Sequence, residues 1–371
     1  MNPNVGKVGI DHHGETDLSR MGLTRRDNEE KKGTAMNESM NTKVILSQRP
    51  KSTATADCFD VVEEPLKSLA DGQIRVEVAF VSVDAGTRTM LVGEGFHQQV
   101  ALGDTILAGG VGRIVESKAE GFEPGQVVRG GLGVQTAATV SPKMVELVEE
   151  LPGQPLSLHL GALGPSTGIT AWIGVNCVAR PARGDIFVVS AAAGAVGSIA
   201  GQIAKRKGAK VIGIAGGARK KAFLTETLGF DAAIDYKSES VTEALKSLAP
   251  DGVNIFFDNV GGPVLDAVLD VIAMRSKVVI CGAISQYNHM DRVIGPSMYL
   301  RLAERQSSME GFAYFHFPEM IQTAKAELLE WVKAGELVTP EEVLEGIHAY
   351  PEALEFMFEG RNLGKLVVSM N

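Results

Sequence analysis

Between residues 42 and 163, apolar and polar residues alternate in short runs, as in the stretch Gln73–Phe80 (QIRVEVAF). Such alternation is typical of half-buried β-strands, which present one face to a core and the other to water. Glycine pairs at Gly109-Gly110 and Gly130-Gly131 separate the runs and indicate turns. The pattern predicts a compact, barrel-like β unit over residues 42–163.

Over residues 164–318 the pattern changes to continuously apolar runs that alternate with helical stretches such as Val196–Lys207 and Lys220–Leu228. Strands that are apolar on both faces and separated by helices form parallel sheets covered by helices on both sides. Six such strands predict the doubly wound α/β fold that binds dinucleotides. The strand candidates are Ile186–Ser190, Lys210–Ile214, Ala232–Asp235, Val253–Asp258, Lys277–Cys281 and Met309–Phe315.

Residues 319–371 return to a mixed pattern. Helices are predicted at Pro318–Ala334 and Tyr350–Phe358, and a strand at Lys365–Met370 is expected to join the first β unit. At the other end, residues 1–41 are polar and mixed in charge, so we expect a disordered extension. We interpret His12-His13 within it as solvated side chains rather than metal ligands. Met36 and Met40 precede the first apolar run and are candidate starts of the protein.

The most specific motif is Ser190-Ala-Ala-Ala-Gly-Ala-Val-Gly197, which follows a predicted strand and opens a predicted helix. Small residues in this context let the backbone approach a pyrophosphate, and the free N–H groups of the helix N-terminus face the anion. Ala192 stands where the usual motif has its first glycine. We predict a dinucleotide site at this loop.

The run that follows the second predicted strand favours NADPH over NADH. It reads Gly216-Gly-Ala-Arg-Lys-Lys221, with cations where an NAD site has the carboxylate that binds the ribose 2′-hydroxyl. Lys220 is the first candidate for the 2′-phosphate and Arg219 the second, with Gly216 lining the same site. The alternative is a solvated helix start, which is disfavoured because cations are unfavourable at a helix N-terminus.

Composition narrows the class of protein. The 371 residues are 44% hydrophobic and 22% charged, with a net charge of −9, which argues against nucleic acid or an anionic membrane as the main partner. The three cysteines, Cys58, Cys177 and Cys281, are dispersed, which indicates a reducing compartment, the cytoplasm, and no structural zinc or other metal site. We expect neither a membrane span nor a secretory signal, because no apolar run is long enough.

Several ordered motifs together resemble a known family. The chain from about Lys43 onward is similar to the zinc-independent medium-chain dehydrogenase/reductase group of prostaglandin reductases, curcumin reductases and plant alkenal double-bond reductases. The resemblance implies a GroES-like β-rich catalytic domain beside a Rossmann domain, NADPH-dependent reduction of activated C=C bonds, and a homodimer. The motifs that carry it are Ala191-Ala-Ala-Gly-Ala-Val-Gly197, Gly201-Gln-Ile-Ala-Lys205, Leu228-Gly-Phe-Asp231, Asp258-Asn-Val-Gly-Gly262, Cys281-Gly-Ala-Ile-Ser285 and Asn362-Leu-Gly-Lys365.

The resemblance also implies roles for individual residues. The pyrophosphate would be held by Gly194, Ala195, Val196 and Gly197. Lys220 would bind the 2′-phosphate, Tyr236 would lie by the adenosine phosphate, and Asn259 would lie near the ribose and pyrophosphate. The nicotinamide and its ribose would be lined by Cys281, Gly282, Ala283, Ile284, Ser285, Tyr287, Phe312, Ala313, Tyr314 and Asn362.

Tyr287 is the candidate catalytic residue. Reduction of an enone needs a hydrogen-bond donor for the enolate oxygen that develops when a hydride reaches the β-carbon. The Tyr287 hydroxyl can donate to this oxygen, and so can a ribose hydroxyl. The alternative is that Tyr287 only packs its loop.

One run departs from the family. Members often carry Asp-Pro-Tyr-Met-Arg where this chain has Asp84-Ala-Gly-Thr-Arg88, so Gly86 replaces a bulky aromatic and predicts a larger or differently shaped substrate site. Arg88 is a candidate for binding a substrate carboxylate, with a structural ion pair to Asp84 as the alternative. The loop Glu94–Gln99 is candidate pocket lining, but we interpret His97 itself as a surface residue.

The sequence leaves other functions open. A quinone reductase would share the fold and NADPH and differ only in substrate. A protein that binds NADPH without turnover, or an enoyl reductase with a pathway-specific substrate, would also carry these motifs.

Overall fold

The computed structural model describes residues 40–93 and 97–370, and these described residues belong to one compact unit. His12-His13, most of the predicted extension and the first three residues of the Glu94–Gln99 loop therefore lie outside the described residues. Met40 and Asn41, which the sequence assigned to the disordered extension, are the first residues of a strand. Asn41 is buried and donates from its side chain to Gln135 at 2.9 Å, so the prediction of disorder is wrong at these two positions.

The first part of the chain is rich in antiparallel strands. In β3 the apolar residues Ile74, Val76 and Val78 are buried and alternate with Arg75 and Glu77, as the sequence pattern predicted. β1 pairs with β2 in a separate two-stranded sheet, and a single-turn helix, α1, follows β3. The elements are β1 (Met40–Leu46), β2 (Phe59–Pro65), β3 (Ile74–Ser82), α1 (Thr87–Met90), β4 (Gly109–Ser117), β5 (Val127–Gly131), β6 (Ala137–Val140) and β7 (Val145–Leu147).

The second part is a six-stranded parallel sheet with the order β10-β9-β8-β11-β12-β13, which confirms the predicted doubly wound fold. The middle strands are apolar on both faces because helices cover both sides. Its strands are β8 (Ile186–Ser190), β9 (Lys210–Ala215), β10 (Ala232–Asp235), β11 (Val253–Asp258), β12 (Ile272–Ile280) and β13 (Ser308–Gly311). Its helices are α2 (Thr170–Ile173), α3 (Ala195–Arg206), α4 (Ala218–Ala222), α5 (Val241–Leu248), α6 (Gly262–Leu269) and α7 (Leu300–Glu304).

Several predicted boundaries shift. β13 ends at Gly311 rather than Phe315, so the aromatic residues that follow lie in a loop and a 3₁₀ turn. π-helical turns extend α2 on both sides, at Pro165–Ile169 and Gly174–Ala179, and extend α4 at Phe223–Thr227. The described 3₁₀ turns are Ala56–Cys58, Pro142–Met144, Leu156–His159, Tyr287–Arg292, Tyr314–His316, Pro318–Met320 and Ile347–Ala349.

The end of the chain returns to the antiparallel sheet, as predicted. The last elements are α8 (Ile321–Lys333), β14 (Glu341–Leu344), α9 (Tyr350–Phe358) and β15 (Lys365–Ser369). β15 pairs antiparallel with β3 and parallel with β14, in a seven-stranded sheet whose path is β14-β15-β3-β4-β5-β7, with β6 paired to β3. The first and last parts of the sequence therefore share one sheet and one core. The exact domain boundaries remain a prediction.

Candidate functional site

The predicted phosphate loop connects β8 to α3 in a tight turn. Ala191 has a positive φ of 46°, which a residue with a side chain adopts only at a cost, and Gly194 caps the helix. A Cβ atom on Gly197 would collide with the carbonyl oxygen of Ala191, so only glycine fits there. Among the described residues no side chain caps α3, and its first N–H groups have no partner within the helix. The loop thus presents free donors and a positive helix end.

The C-terminal return contacts this loop directly. The N–H of Gly364 donates to the carbonyl of Ala193 at 2.7 Å, and Gly194 and Gly364 form a parallel bridge. Asn362, which is 8% exposed, donates to the carbonyl of Gly364 at 3.0 Å. The structure therefore brings Asn362 beside the phosphate loop, and its predicted place on the nicotinamide side stays a prediction.

A cluster of cations lies beyond the end of β9. Burial, followed by the nearby charges of Lys237 and Arg219, lowers the pKa of Lys220, and only Glu342 opposes this effect. Three cations held this close favour an anionic ligand between them. Lys237 was missed by sequence reasoning; its position directly after Tyr236, at the end of β10, was the available signal.

Two carboxylates near this cluster correct the expectation that none lies there. Asp235 follows in β10 and accepts hydrogen bonds from the N–H groups of Gly217 at 2.7 Å and Lys237 at 3.0 Å. These bonds, led by that from Gly217, lower the pKa of Asp235. Glu342, from β14, approaches Arg219 at 3.8 Å. The local sequence predicted neither contact, because Asp235 and Glu342 are distant along the chain from their partners Gly217 and Arg219.

Tyr236 and Gly216 form a close pair at the same end of the sheet. A Cβ atom on Gly216 would lie 3.0 Å from the Tyr236 ring and 2.9 Å from Cε of Lys237. The Tyr236 side chain is nevertheless 48% exposed. A flat, half-exposed ring beside a cationic cluster suits contact with an adenosine phosphate, although the role of Tyr236 stays a prediction.

The carboxyl ends of β8, β11 and β12 meet at a buried carboxyl group. Asp258 is fully buried and accepts from Ser190 Oγ at 2.7 Å and from the N–H of Val260 at 2.9 Å. Burial raises its pKa, against these hydrogen bonds. Asn259 donates from its side chain to the carbonyl of Ser190 at 2.8 Å. The Asn259 side chain is therefore fixed at the junction of β8 and β11, next to the phosphate loop.

The loop after β12 folds back over this junction. The N–H groups of Cys281 and Gly282 donate to the carbonyl of Asp258, at 2.8 and 3.2 Å, and Ser285 Oγ donates to the carbonyl of Val260 at 2.6 Å. Burial raises the pKa of the Cys281 thiol to about 12, so the thiol is neutral and not a nucleophile. The loop is shaped by backbone hydrogen bonds.

The hydroxyl of Tyr287 closes the same loop. Its oxygen accepts from the N–H of Ala283 at 3.1 Å, and burial raises its pKa. The hydroxyl therefore keeps its proton at neutral pH, and this proton is not used in the bond with Ala283. The geometry leaves Tyr287 able to donate a hydrogen bond, and its catalytic role remains a proposal.

Phe312, Ala313 and Tyr314 follow β13 near the end of the parallel sheet. The Phe312 ring packs edge-on against Phe257, with 6.2 Å between centroids. Tyr314 lies near Arg129, whose pKa burial lowers to about 10. Phe312 thus has a packing role, which is compatible with its predicted place by the nicotinamide but does not establish it.

Arg88 does not occupy the position that the sequence suggested. It is 2% exposed, and its guanidinium donates to the carbonyl of Ser52 at 2.9 and 2.5 Å. A substrate carboxylate cannot reach a side chain that is closed off in this way. The alternative ion pair with Asp84 is also wrong: Asp84 pairs with Lys365, whose Nζ lies 2.7 Å from Oδ1.

Lys365 and Asp84 form the centre of a buried polar network. The Lys365 side chain is 2% exposed and also donates to Ser82 Oγ at 2.6 Å. Burial alone raises the pKa of Asp84, but the Lys365 charge and hydrogen bonds from Lys365, Ser82 and Ser166 outweigh it, so the net pKa is lowered. The pair connects β15 to the end of β3.

His97 occupies the space beside Gly86. Its Cε1 lies 3.8 Å from the position of a Gly86 Cβ, and its Nδ1 lies 2.5 Å from Thr89 Oγ1. Thr89 Oγ1 donates its own hydrogen to the carbonyl of Gly86 at 2.7 Å, so Nδ1 must carry the hydrogen in the bond to Thr89. The ring is half-buried rather than a surface group, and it partly fills the room that Gly86 was expected to open.

Residues 40–93 and 97–370 contain neither a group of metal ligands nor a membrane-spanning helix. Within these ranges, no three His, Cys, Asp or Glu side chains are grouped to hold a metal ion. Likewise, the helices found there are too short or too polar to cross a bilayer.

Comparisons with known proteins identify the family and the fold that this chain resembles. A family model described as the N-terminal domain of oxidoreductase matches residues 42–148, and one described as zinc-binding dehydrogenase matches residues 195–332. The chain is 39% identical to mouse (Mus musculus) prostaglandin reductase 1, over 84% of this chain and 93% of that protein. It is 36% identical to the NADP(+)-dependent 2-alkenal reductase of tobacco (Nicotiana tabacum), over 74% and 80%. The crystal structure of Vibrio vulnificus CurA in complex with NADPH superposes with a TM-score of 0.82 at 33% identity, covering 89% and 99%.

Proposed function

This chain belongs to the medium-chain dehydrogenase/reductase family, in the group of prostaglandin, curcumin and alkenal reductases, and from that membership we propose that it reduces the C=C bond of α,β-unsaturated ketones and aldehydes with NADPH. The observation that carries the proposal is the Tyr287 hydroxyl. It stays protonated and retains a hydrogen to donate, on the loop after β12 at the carboxyl edge of the parallel sheet.

The residues present fit NADPH. The uncapped start of α3 suits the pyrophosphate, and the close cations Arg219, Lys220 and Lys237 suit the 2′-phosphate. When bound, NADPH supplies the hydride that reaches the substrate β-carbon. Asn259, Asn362 and the loop Cys281–Ser285 would orient the nicotinamide ribose. These assignments rest on position and resemblance.

In this proposal Tyr287 acts on the substrate carbonyl. Its O–H donates a hydrogen bond to the oxygen on which negative charge develops, which lowers the energy of the enolate-like transition state. Burial of the ring strengthens this bond because water competes less for the oxygen. The raised pKa keeps the donor protonated across the neutral range.

The primary test measures NADPH oxidation with 2-alkenals, enones, quinones and saturated aldehydes, each also run with NADH. We expect turnover of the enones with NADPH and saturated carbonyl products by mass spectrometry. Turnover of quinones alone would make the protein a quinone reductase. Tight NADPH binding without turnover of any acceptor would indicate a specialised substrate or a non-catalytic protein.

Tyr287→Phe tests the residue itself. Removing one well-placed donor lowers kcat by about a hundredfold, while the Kd for NADPH should change little. Tyr299→Phe is a matched control, because Tyr299 is 57% exposed. Equal kcat values for wild type and Tyr287→Phe would remove Tyr287 from the mechanism.

We further propose a homodimer that uses the β13 edge of the parallel sheet. β13 is the last strand of that sheet, and an open edge can pair with a second copy. Apolar side chains at Ile294 (75% exposed) and Leu300 (61% exposed) precede it along the chain. Light scattering would give twice the monomer mass if the proposal holds, and the monomer mass if it does not. The cytoplasmic location remains a prediction from the sequence.

A further inference from the structure

Arg88 is a buried cation held only by carbonyl groups. Besides Ser52, its Nη2 approaches the carbonyl oxygen of Asn288 at 3.4 Å. Within the part of the chain that the structure describes, no carboxylate forms an ion pair with Arg88, and its buried Nη1 has no hydrogen-bond partner. Burial lowers its pKa. Burying a guanidinium without a carboxylate partner lowers the free energy of unfolding. Stability alone therefore does not account for the contacts of Arg88 with the backbone.

Asn288 links Arg88 to Tyr287, because Arg88 contacts Asn288 and Asn288 directly follows Tyr287 in the chain. The side chain of Asn288 donates from Nδ2 to Thr53 Oγ1 at 3.2 Å, while its buried Oδ1 has no partner in the described structure. The contacts from Arg88 and to Thr53 therefore attach the turn that begins at Tyr287 to the segment at Ser52 and Thr53. The unpaired donor Nη1 belongs to Arg88 and the unpaired acceptor Oδ1 belongs to Asn288, two residues that are already in contact.

Few hydrogen bonds fix the turn Tyr287–Arg292 within its own loop: the Tyr287 hydroxyl accepts from the N–H of Ala283 at 3.1 Å, and the N–H of His289 donates to the carbonyl of Gln286 at 2.9 Å. Each of its residues is at least partly exposed, and His289 has a non-helical backbone conformation that interrupts it. The N–H of Tyr287 donates to the carbonyl of Ile284 at 3.4 Å, which is long for a hydrogen bond. α1, which carries Arg88, packs against this turn. The contacts of Arg88 and Asn288, including the equally long 3.4 Å contact from Arg88, therefore add the restraint that holds the turn from the side of α1.

We propose that Arg88 is a positioning residue that holds Asn288, and through it the Tyr287 hydroxyl, in place for the reaction. The inference rests on the proposed role of Tyr287. It replaces the expectation that Arg88 binds a substrate carboxylate.

Hydrogen exchange tests the structural half of this proposal without any assay of activity. We expect Arg88→Met to accelerate exchange of the amides in Cys281–Arg292 by about tenfold, since the loss of such hydrogen bonds is worth about one tenfold factor. Arg49→Met is the matched control. Arg49 is partly buried and donates to the carbonyls of Leu91 and Val100, at 2.9 and 3.3 Å, in the same region of the fold.

The expected result is faster exchange in Arg88→Met and unchanged exchange, within about twofold, in Arg49→Met. Asn288→Ala keeps the carbonyl that Arg88 contacts but removes the side-chain hydrogen bond to Thr53, which is the other link between the turn and the segment at Ser52 and Thr53. It replaces Arg88→Met if the latter does not fold. Exchange of Cys281–Arg292 that is the same in the Arg88 or Asn288 variant as in Arg49→Met would overturn the proposal.

A double-mutant cycle tests whether Arg88 acts through Tyr287. Arg88→Met should lower kcat about thirtyfold in the wild-type background and less than about twofold in the Tyr287→Phe background, with the Kd for NADPH unchanged. Equal losses in both backgrounds would show a general structural effect and refute the positioning role. If the wild-type protein reduces no enone, the proposed function fails, whereas the exchange measurement still decides whether Arg88 holds the turn.

Discussion

The phosphate loop at Ser190–Gly197 and the loop at Asp84–Arg88 were both singled out by sequence, yet they are built in opposite ways. The phosphate loop is made of backbone: small residues, a positive φ at Ala191 and an uncapped helix. The Asp84–Arg88 loop is held by buried side chains that contact distant residues. A loop built from backbone can be recognised from a contiguous motif, whereas a loop held by side chains becomes visible only when the chain has folded.

The two loops are linked by the same short segment of the chain. Gly364 bonds to the carbonyl of Ala193 in the phosphate loop, and the next residue, Lys365, pairs with Asp84. Damage to the side-chain-built loop should therefore appear first as a loss of stability. Damage to the backbone-built loop should appear as a loss of cofactor affinity.

The largest effect is expected for Asp84→Asn, which leaves the Lys365 ammonium buried without a carboxylate. We expect the free energy of unfolding to fall by about 4 kcal/mol. Denaturant unfolding measures this, with the exposed Asp251→Asn as the control. Lys365→Met should cost less, about 2 kcal/mol, because a third of the Asp84 side chain is exposed. Equal stability of the Asp84 and Asp251 variants would contradict the ion-pair argument.

The same pair gives the wild-type protein a defined pH dependence. The folded pKa of Asp84 is below its usual value, so the folded state binds this proton less readily than the unfolded state does. The stabilisation is therefore present above about pH 4 and is lost as the pH falls through the folded pKa. In Asp84→Asn this part of the pH dependence should be absent when unfolding is measured across the acid range.

The next effect is expected at Gly197 in the backbone-built loop. Gly197→Ala places a Cβ against the carbonyl oxygen of Ala191 and 3.0 Å from Cα of Ala192, so the loop must shift. An overpacking cost of about 3 kcal/mol corresponds to NADPH binding weakened about a hundredfold. Titration calorimetry measures the Kd. Gly295→Ala, where a Cβ meets nothing within 4 Å, should bind normally.

A smaller effect is expected for Lys220 and Lys237, the cations that would select NADPH over NADH. Lys220→Ala should weaken NADPH about thirtyfold, and Lys237→Ala about tenfold, because charge-assisted bonds to a phosphate are worth about 1.5–3 kcal/mol. Neither change should affect NADH, which lacks the 2′-phosphate. The exposed Lys246→Ala is the control. A parallel loss of NADH binding would mean that the cation cluster shapes the site rather than reading the phosphate.

The smallest effect concerns substrate size. His97→Ala removes the ring that lies beside Gly86, and we expect kcat/KM to shift about fivefold in favour of bulkier enones. The comparison uses a series of enones with growing substituents at the β-carbon. An unchanged order of preference across the series would place His97 outside the substrate pocket.

Much of the fold follows from the sequence because the parallel strands are apolar, separated by helices and ordered along the chain. Strand ends are less predictable. β13 stops at Gly311 although apolar residues continue, because these pack from a loop against residues such as Phe257. β14 was not predicted, since the run Glu341–Leu344 shows no alternation and forms only as the neighbour of β15.

The candidate site divides in the same way. The phosphate loop and the loop after β12 are contiguous motifs, and the structure brings them to one edge of the sheet. Lys237, Glu342 and His97 were missed or misjudged because their relevance depends on contacts with residues far away in sequence. The partner of Asp84 was unpredictable for the same reason.

The position of β15 has a consequence for how the protein is made. It comes late in the sequence, yet it lies inside the seven-stranded sheet with β3 on one side and β14 on the other. While the chain is still being synthesised, the apolar edge of β3 has no strand to pair with, and β14 has no sheet to join. The seven-stranded sheet can therefore be completed only when Lys365–Ser369 have left the ribosome, and a nascent chain arrested shortly before Lys365 should remain sensitive to proteolysis.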